Sequence, residues 1–472
     1  MTILKPDLCI IGAGSGGLSL AAGAVQMGAS VVLIEGAEMG GDCLNAGCVP
    51  SKALLAAGKA AEAMRQAGRF GIRPVEPEID FAAVKDHVAA VIAGIAPHDS
   101  QERFETLGVT VLRDWARFIS PREVEVAGQT IRARRFVIAT GSRAALPPIP
   151  GIETVPYLTN ETIFALRERP DHLLILGGGP IGMEMAQAHR RLGCRVTVIE
   201  AQKALGRDDP ETAAVVLEAL RAEGVEIREG QAIVRLRPLA KGVEAVLADG
   251  TVLTGSHLLV AAGRAPVLGG LGLDAAGVEF TAKGVTVGGN LRSVSNRRVY
   301  AMGDAAGGAQ FTHVAGAHAG VLIRQILLGL PAKAAVEVPW ASYTEPELAQ
   351  AGLTEAEARK RYGAGVTVLR AEFSGNDRAR AELKGKGLVK VIVVKGRPVG
   401  ASIAGPRAGE LIGLWALATA SRTKIGTIAG LILPYPTLGE TAKRASGAYF
   451  SVKLFDNPAL KRIVRLVQRF VP

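Results

Sequence analysis

Aromatic side chains are scarce in this chain of 472 residues, at 4%. That scarcity argues against a protein that binds nucleic acid by stacking bases on its rings. Cysteine is scarcer, with four residues, which excludes a small fold stapled by disulfides. No bilayer-spanning segment is expected. The opening, Met1-Thr2-Ile3-Leu4-Lys5-Pro6-Asp7, lacks a signal-peptide pattern, so a soluble, cytoplasmic protein is expected. Acidic residues number 44 against 55 Lys and Arg, giving a net charge of +11. The excess favours anionic partners or cofactors, but no nucleic-acid module accompanies it and no such partner is expected.

Glycine, by contrast, is abundant at 58 residues, and 48% of the chain is apolar. The length predicts about three domains. The apolar run Asp7-Leu8-Cys9-Ile10-Ile11 suits a buried parallel strand. It leads into Gly12-Ala13-Gly14-Ser15-Gly16-Gly17 and an Ala-rich helix, and the next strand, Val31 to Ile34, ends at Glu35. In such a fingerprint Gly12 makes the tight turn, Gly14 lets backbone approach a pyrophosphate, and Gly17 lets helix and strand pack closely. The helix start, from Ser15, then holds phosphate, and Glu35 is placed to accept from a ribose.

The pattern recurs. Leu173 to Leu176 precedes Gly177-Gly178-Gly179-Pro180-Ile181-Gly182, a helix, the strand Arg195 to Ile199, and Glu200. Gly12 lies 23 positions before Glu35, and Gly177 lies 23 before Glu200. One such loop is weak evidence; two in the same context at matched spacing imply two dinucleotide sites. Gly177, Gly179, Ile181, Gly182 and Glu200 are the expected contacts of the second. Its carboxylate, repelling a 2′-phosphate, favours NAD(H) over NADP(H). Lys203 and Arg207 soften that choice only if they are more than solvated loop charge.

Two of the four cysteines sit between these fingerprints, in Gly40-Gly41-Asp42-Cys43-Leu44-Asn45-Ala46-Gly47-Cys48-Val49-Pro50-Ser51-Lys52. A half zinc site is excluded by the want of a second ligand pair, so no metal site is expected. A structural disulfide does not suit reducing cytosol. A redox pair beside a nucleotide site remains, and a flavin is the usual relay between hydride and thiol chemistry, so FAD is assigned to the first site. Cys9 and Cys194 read as small buried hydrophobes.

These motifs resemble the flavoprotein disulfide reductases, or class I pyridine nucleotide-disulfide oxidoreductases, which include dihydrolipoamide dehydrogenase, glutathione reductase and mercuric reductase. Ala139-Thr140-Gly141, Ala261-Ala262-Gly263-Arg264-Ala265-Pro266 and Val299-Tyr300-Ala301-Met302-Gly303-Asp304 follow in family order. The resemblance implies an α/β fold: two Rossmann-like domains, for FAD and NAD(P), plus an α+β C-terminal dimerisation domain. The expected FAD domain is 1–150 and 270–335, the NAD(P) domain 151–269, and the interface domain, making a homodimer, 336–472. Asp304 would bind the flavin's ribityl chain, with Lys52, Ala116, Thr140, Gly141 and Gly263 among the cofactor contacts. Cys48 would face the flavin and Cys43 exchange with substrate. Lys52 would sit near flavin N5 and pair with Glu184. The default substrate is a small dithiol or disulfide, dihydrolipoamide free or on a lipoyl-bearing protein.

One segment departs from the family. Where relatives carry His-Pro-Thr-x-x-Glu, whose His is a proton shuttle given by the partner subunit, this chain reads Tyr435-Pro436-Thr437-Leu438-Gly439-Glu440. A phenol is a poor base near neutrality, and losing a positioned base costs about 10²- to 10⁴-fold. Mercuric reductases are similar here, and a soft metal held by two thiolates needs no such shuttle. Yet the tail, Phe450 to Pro472, holds no cysteine pair to hand over metal, and no N-terminal metal-binding module is expected. A low-turnover redox sensor is a third reading, opposed by Cys43, Cys48, Lys52, Glu184 and Glu440 standing together. In that tail Leu460, Ile463, Val464 and Val467 share one helical face, and Lys461, Arg462, Arg465 and Arg469 fall mostly on another. Packing within the dimer is the preferred expectation, with docking to an acidic protein or anionic membrane the alternative.

Overall fold

A computed structural model describes residues 3–335 and 337–470. The first apolar run forms the strand Leu8–Ile11, buried along its whole length in a parallel sheet. Across that sheet the order is Val299–Ala301, Arg135–Ile138, Leu8–Ile11, Val31–Ile34, Thr110–Leu112. Strands buried on both faces have no need of alternation, which is why these read as continuous apolar runs. Val299–Ala301 returns to this sheet only after the chain has built a second one. There, Glu226–Glu229, Arg195–Glu200, His172–Leu176 and His257–Val260 lie parallel. Crossing and return run side by side, Ser142–Ala144 pairing antiparallel with Arg264–Pro266.

The third sheet is antiparallel: Trp340–Ser342, Glu347–Gly352, Arg397–Gly405, Leu388–Val394, Val366–Glu372. Ala408–Ala420 and Glu440–Phe455 cover it, around the fully buried Trp415. The fold is therefore α/β, two Rossmann-like units and an α+β C-terminal unit.

The three units share a core. Leu54 on the helix Cys48–Gln66, Met183 on the helix Pro180–Arg191, and Leu348 and Ala404 in the antiparallel sheet belong to one buried cluster. Gly58 permits the close approach of those two helices; a Cβ there would lie 3.3 Å from the Ala188 carbonyl oxygen. Their proximity brings residues of the cysteine helix and the second fingerprint helix within bonding distance. Lys390, almost wholly buried, also ties units together, its Nζ 2.9 Å from Asp209, 3.0 Å from Glu211 and 2.8 Å from Glu355.

Candidate active site

Each fingerprint is a strand, a tight turn and a helix start. Gly12 and Gly177 both adopt φ of +111°, and a Cβ at either would collide with a neighbouring carbonyl, of Ala139 or Ala261. Gly17 and Gly182 lie so close to Gly12 and Gly177 that any side chain would strike backbone. Gly14 and Gly179 begin the helices Ser15–Gln26 and Pro180–Arg191 without any side-chain cap. The first helical amides to find an acceptor are Leu18, on Gly14, and Met183, on Gly179. Among the described residues the amides of Gly16 and Gly17, and of Ile181 and Gly182, have none. Such donors at a helix start suit a pyrophosphate. Gly179 has open space where its Cβ would be, and Ile181 is exposed.

Both acidic residues are clamped alike. Glu35 accepts from Ala13 N (2.6 Å) and Ala37 N (2.8 Å). Glu200 accepts from Gly178 N (2.7 Å) and Gln202 N (2.8 Å). The carboxylates are thus fixed against their own phosphate loops. Lys203 and Arg207 are exposed beyond the second.

The cysteine loop is strapped to the first fingerprint. Gly40 N donates to Ala13 O at 3.0 Å. Gly40 and Gly41 have φ of +86° and +60°, and a Cβ on Gly41 would come within 2.7 Å of Gly14 Cα. Cys43 lies in the short helix Gly41–Asn45, and Cys48 is the first residue of Cys48–Gln66. Both are free thiols, Cys43 half-buried and Cys48 exposed. Cys48 is acidified to about 6, chiefly by a hydrogen bond from Cys43, then by Thr312 and the Lys52 charge, against burial and Asp42. Its Sγ is 3.3 Å from Thr312 Oγ1, and its place at a helix start favours the thiolate further. Cys43 is pushed up, as the proton donor to Cys48 and by burial. The hydrogen bond between them thus favours the thiolate on Cys48 and the proton on Cys43. Cys9 and Cys194 are buried among apolar strands, and burial drives both thiols well up.

One helical turn after Cys48, Lys52 Nζ donates to Glu184 Oε2 at 2.8 Å and lies 4.4 Å from the Tyr343 ring centroid. The other carboxylate oxygen of Glu184 accepts from Tyr343 N at 3.0 Å. The lysine is thus held by all three units.

On the other side of the cysteines runs a polar chain that no single motif announces. Asp304 Oδ2 accepts from Ser142 Oγ at 2.5 Å, and burial raises its pKa. Arg264 Nε donates to Ser142 Oγ at 2.8 Å, and its Nη2 lies 3.0 Å from Asp42 Oδ2. Asp42 Oδ1 accepts from Asn160 Nδ2 at 2.7 Å, and the same amide reaches Ala46 O at 3.1 Å. Ser142, Arg264, Asp42 and Asn160 were not singled out above, although Ser142 follows Gly141, Arg264 follows Gly263 and Asp42 precedes Cys43. Thr312, Tyr343 and Asn160 carry no local signal.

The remaining positions fall around these groups. Thr140 Oγ1 donates to Val267 O at 2.7 Å. Gly141 and Gly263, at φ of +68° and +124°, flank the crossover strands with open space where a Cβ would sit. Ala116 is buried in the core beneath the first sheet. Tyr435 and Glu440 are not brought to the thiols of their own chain. Tyr435, 71% exposed, donates to Asp377 Oδ2 at 3.0 Å, and that bond raises its pKa. Glu440 Oε2 accepts from Thr437 N at 3.2 Å.

Two nucleotide cradles and a dithiol between them define a dinucleotide-dependent redox protein. Residues 6–319 match the family model described as pyridine nucleotide-disulphide oxidoreductase, and residues 338–446 match its dimerisation domain. The chain belongs to the pyridine nucleotide-disulfide oxidoreductases. It is 36% identical to a dihydrolipoyl dehydrogenase of Thermus scotoductus, over 94% of this chain and 97% of that one. It is 34% identical to a mercuric reductase of Streptomyces lividans, over 94% and 96%. Among solved structures it is similar to the HOCl-induced flavoprotein disulfide reductase RclA of Escherichia coli, with a TM-score of 0.84, 28% identity, and coverage of 93% of this chain and 99% of that. The chain is thus an FAD-dependent NAD(P)H oxidoreductase of the flavoprotein disulfide reductase type. The dimerisation domain suggests a homodimer. No helix among the described residues is long and apolar enough to cross a membrane.

Proposed function

We propose that the chain passes two electrons from NADH to a small dithiol-disulfide substrate through the Cys43–Cys48 pair. The observation that carries this reading is the acidified Cys48 at a helix start, between a donor thiol and the Lys52–Glu184 pair that leads to the second fingerprint. The domains are read as 1–150 and 270–335 for FAD, 151–269 for nicotinamide and 336–472 for the interface, in a cytoplasmic enzyme. FAD, when bound, relays a hydride's two electrons to sulfur. Gly12, Gly14, Ser15 and Gly17 would hold its phosphates and Glu35 its ribose. Asp304, with Thr140, Gly141, Gly263 and the Ala116 backbone, would hold the rest. The exposed side of Cys48 is open to a flat ring, and Lys52 stands one turn away as its cationic neighbour.

Gly177, Gly179, Ile181 and Gly182 would take the nicotinamide dinucleotide, and the doubly held Glu200 carboxylate favours NADH over NADPH. Cys43 would open a substrate disulfide by passing its proton to the departing substrate sulfur as its Sγ attacks the other; the mixed disulfide is then resolved by attack of the Cys48 thiolate on Cys43 Sγ, which closes the Cys43–Cys48 disulfide and releases the second substrate sulfur as a thiolate that takes its proton from solvent. A lipoyl group is the default substrate.

Tyr435 favours a second reading, reduction of a soft metal ion such as Hg²⁺ bound by the two thiolates. The phenol and Glu440 then bear on substrate anion or metal, not on a proton relay. NADH oxidation by the holoenzyme, with lipoamide and with Hg²⁺ plus excess thiol in parallel, decides between them. Fast lipoamide turnover, increased further in Tyr435→His, supports disulfide exchange. Hg²⁺-dependent turnover with slow lipoamide transfers the assignment to metal reduction.

A further inference from the structure

The final helix buries none of its residues against the described part of its own chain. Pro458–Phe470 starts after a break at Asp456-Asn457, where Asn457 Oδ1 accepts from Ala459 N (3.0 Å) and Leu460 N (3.3 Å). The helix carries its own cap, yet none of its residues is buried. Ile463 is 56% exposed, Leu466 63% and Phe470 72%, values expected of charged side chains. Just before the break Leu454 and Phe455 are exposed as well.

The two faces are fully segregated. At about 100° per residue, Leu460, Ile463, Val464, Leu466, Val467 and Phe470 fill one arc of roughly 160°. Lys461, Arg462, Arg465 and Arg469 fill the opposite arc, and no acidic residue lies between 458 and 470. A helix packed on a protein normally buries its apolar stripe and spreads both signs of charge over the rest. Here the stripe is bare and every charge on the polar face is positive. The helix also lies outside residues 338–446, the part that matches the family's dimerisation domain. Against a second copy of itself it would set four cations against four, with no carboxylate to pair them.

An anionic plane satisfies both faces together. The apolar arc enters the acyl boundary while the long arginine stems carry their guanidinium groups up to the headgroup phosphates. We propose that Pro458–Phe470 is an interfacial helix that docks the enzyme on an anionic phospholipid surface. The chain's net charge of +11 favours the same approach. The proposal does not depend on which substrate the cysteine pair reduces.

The test is co-sedimentation of the full-length holoprotein with vesicles of phosphatidylcholine alone or mixed equally with phosphatidylglycerol. Arg462→Glu with Arg465→Glu, Ile463→Asp with Val467→Asp, and a chain ending at Asn457 are compared; all these positions are exposed, and flavin content reports folding. Binding to the anionic vesicles only is expected. Each basic residue near such a surface strengthens binding by roughly fivefold, so the double charge reversal should weaken it at least about 30-fold, and the paired aspartates should abolish it. Equal pelleting with phosphatidylcholine, or equal pelleting of wild type and variants, overturns the proposal. So does a shift from dimer to monomer in the lipid-free Ile463→Asp/Val467→Asp protein, which would make the helix a contact between subunits.

Discussion

The two fingerprints are nearly one object built twice. Gly12 and Gly177 share φ of +111°, Gly14 and Gly179 share φ of −76° as helix N-caps, and Glu35 and Glu200 each grip two amides of their own unit. Even the return loops land at the same place, Gly40 N on Ala13 O and Leu205 N on Gly178 O. What lands differs. In the second unit Ala204 and Leu205 close the loop with buried apolar side chains, and nothing reactive follows. In the first, Gly40 and Gly41 press backbone against backbone and deliver the chain straight into Asp42, Cys43 and the Cys48 helix. A dinucleotide cradle is thus a common part, and the redox chemistry is a short insertion at one equivalent point. The comparison can be broken from either side.

The largest effect is expected from removing what only the first unit has. Cys48→Ser should retain bound flavin while disulfide-dependent NADH oxidation falls about 10³-fold or more, since a nucleophile and its partner act as one unit. Turnover assays beside flavin absorbance check this. Survival of the long-wavelength absorbance given by a thiolate against a flavin would reverse the roles of the two cysteines.

Breaking what both units share should separate the two cofactors. A Cβ on Gly182 strikes the Gly177 carbonyl just as one on Gly17 strikes Gly12. Gly182→Ala should therefore purify yellow, with flavin reduction by NADH slowed about 100-fold by misplaced nicotinamide. Gly17→Ala should purify with little flavin. Stopped-flow reduction and flavin content give the two readings, and loss of flavin from both would mean that the units do not act separately.

A smaller effect concerns protons. With Cys48 acidified to about 6, the thiolate absorbance of the two-electron-reduced protein should rise as pH increases through that value. The depressed thiol also stabilises the folded dithiol form. That contribution is complete above the ordinary thiol range and is lost as pH falls through about 6. Thr312→Val removes one hydrogen bond to the thiolate and should move the midpoint up by about one pH unit. A midpoint unchanged in Thr312→Val would leave the acidification to Cys43 and the lysine.

Much of this site was legible because its parts are local. Fingerprint glycines, the acidic strand ends and the cysteine loop are short words whose meaning lies in their own backbone, and the strand Val299–Ala301 followed by Asp304 was readable in the same way. Ser142, Asp42 and Asn160 were not, because each is defined by a partner more than a hundred positions away in the chain. Tyr343 is likewise invisible until the antiparallel sheet docks beside the cysteine helix and presents its amide to Glu184. Tyr435 was conspicuous in the sequence, yet within its own chain its phenol is turned to Asp377. The chemistry of that position belongs to a surface of the C-terminal unit. The two faces of Pro458–Phe470 were written in the spacing of its residues, whereas the exposure of its apolar face among the described residues was not.

The finest comparison lies between the two carboxylates that end the acidic strands. Glu35 and Glu200 are held alike, so discrimination between NADH and NADPH should rest on the fixed charge of Glu200 and not on the loop cations. Glu200→Ser removes that charge and should raise kcat/KM for NADPH about tenfold relative to NADH. Lys203→Ala should change the same ratio by less than about twofold, because an exposed lysine is screened by solvent and salt. Initial rates with both nucleotides decide it. If Lys203→Ala alters the preference more than Glu200→Ser does, the cations set the nucleotide choice, and the second cradle differs from the first in more than its return loop.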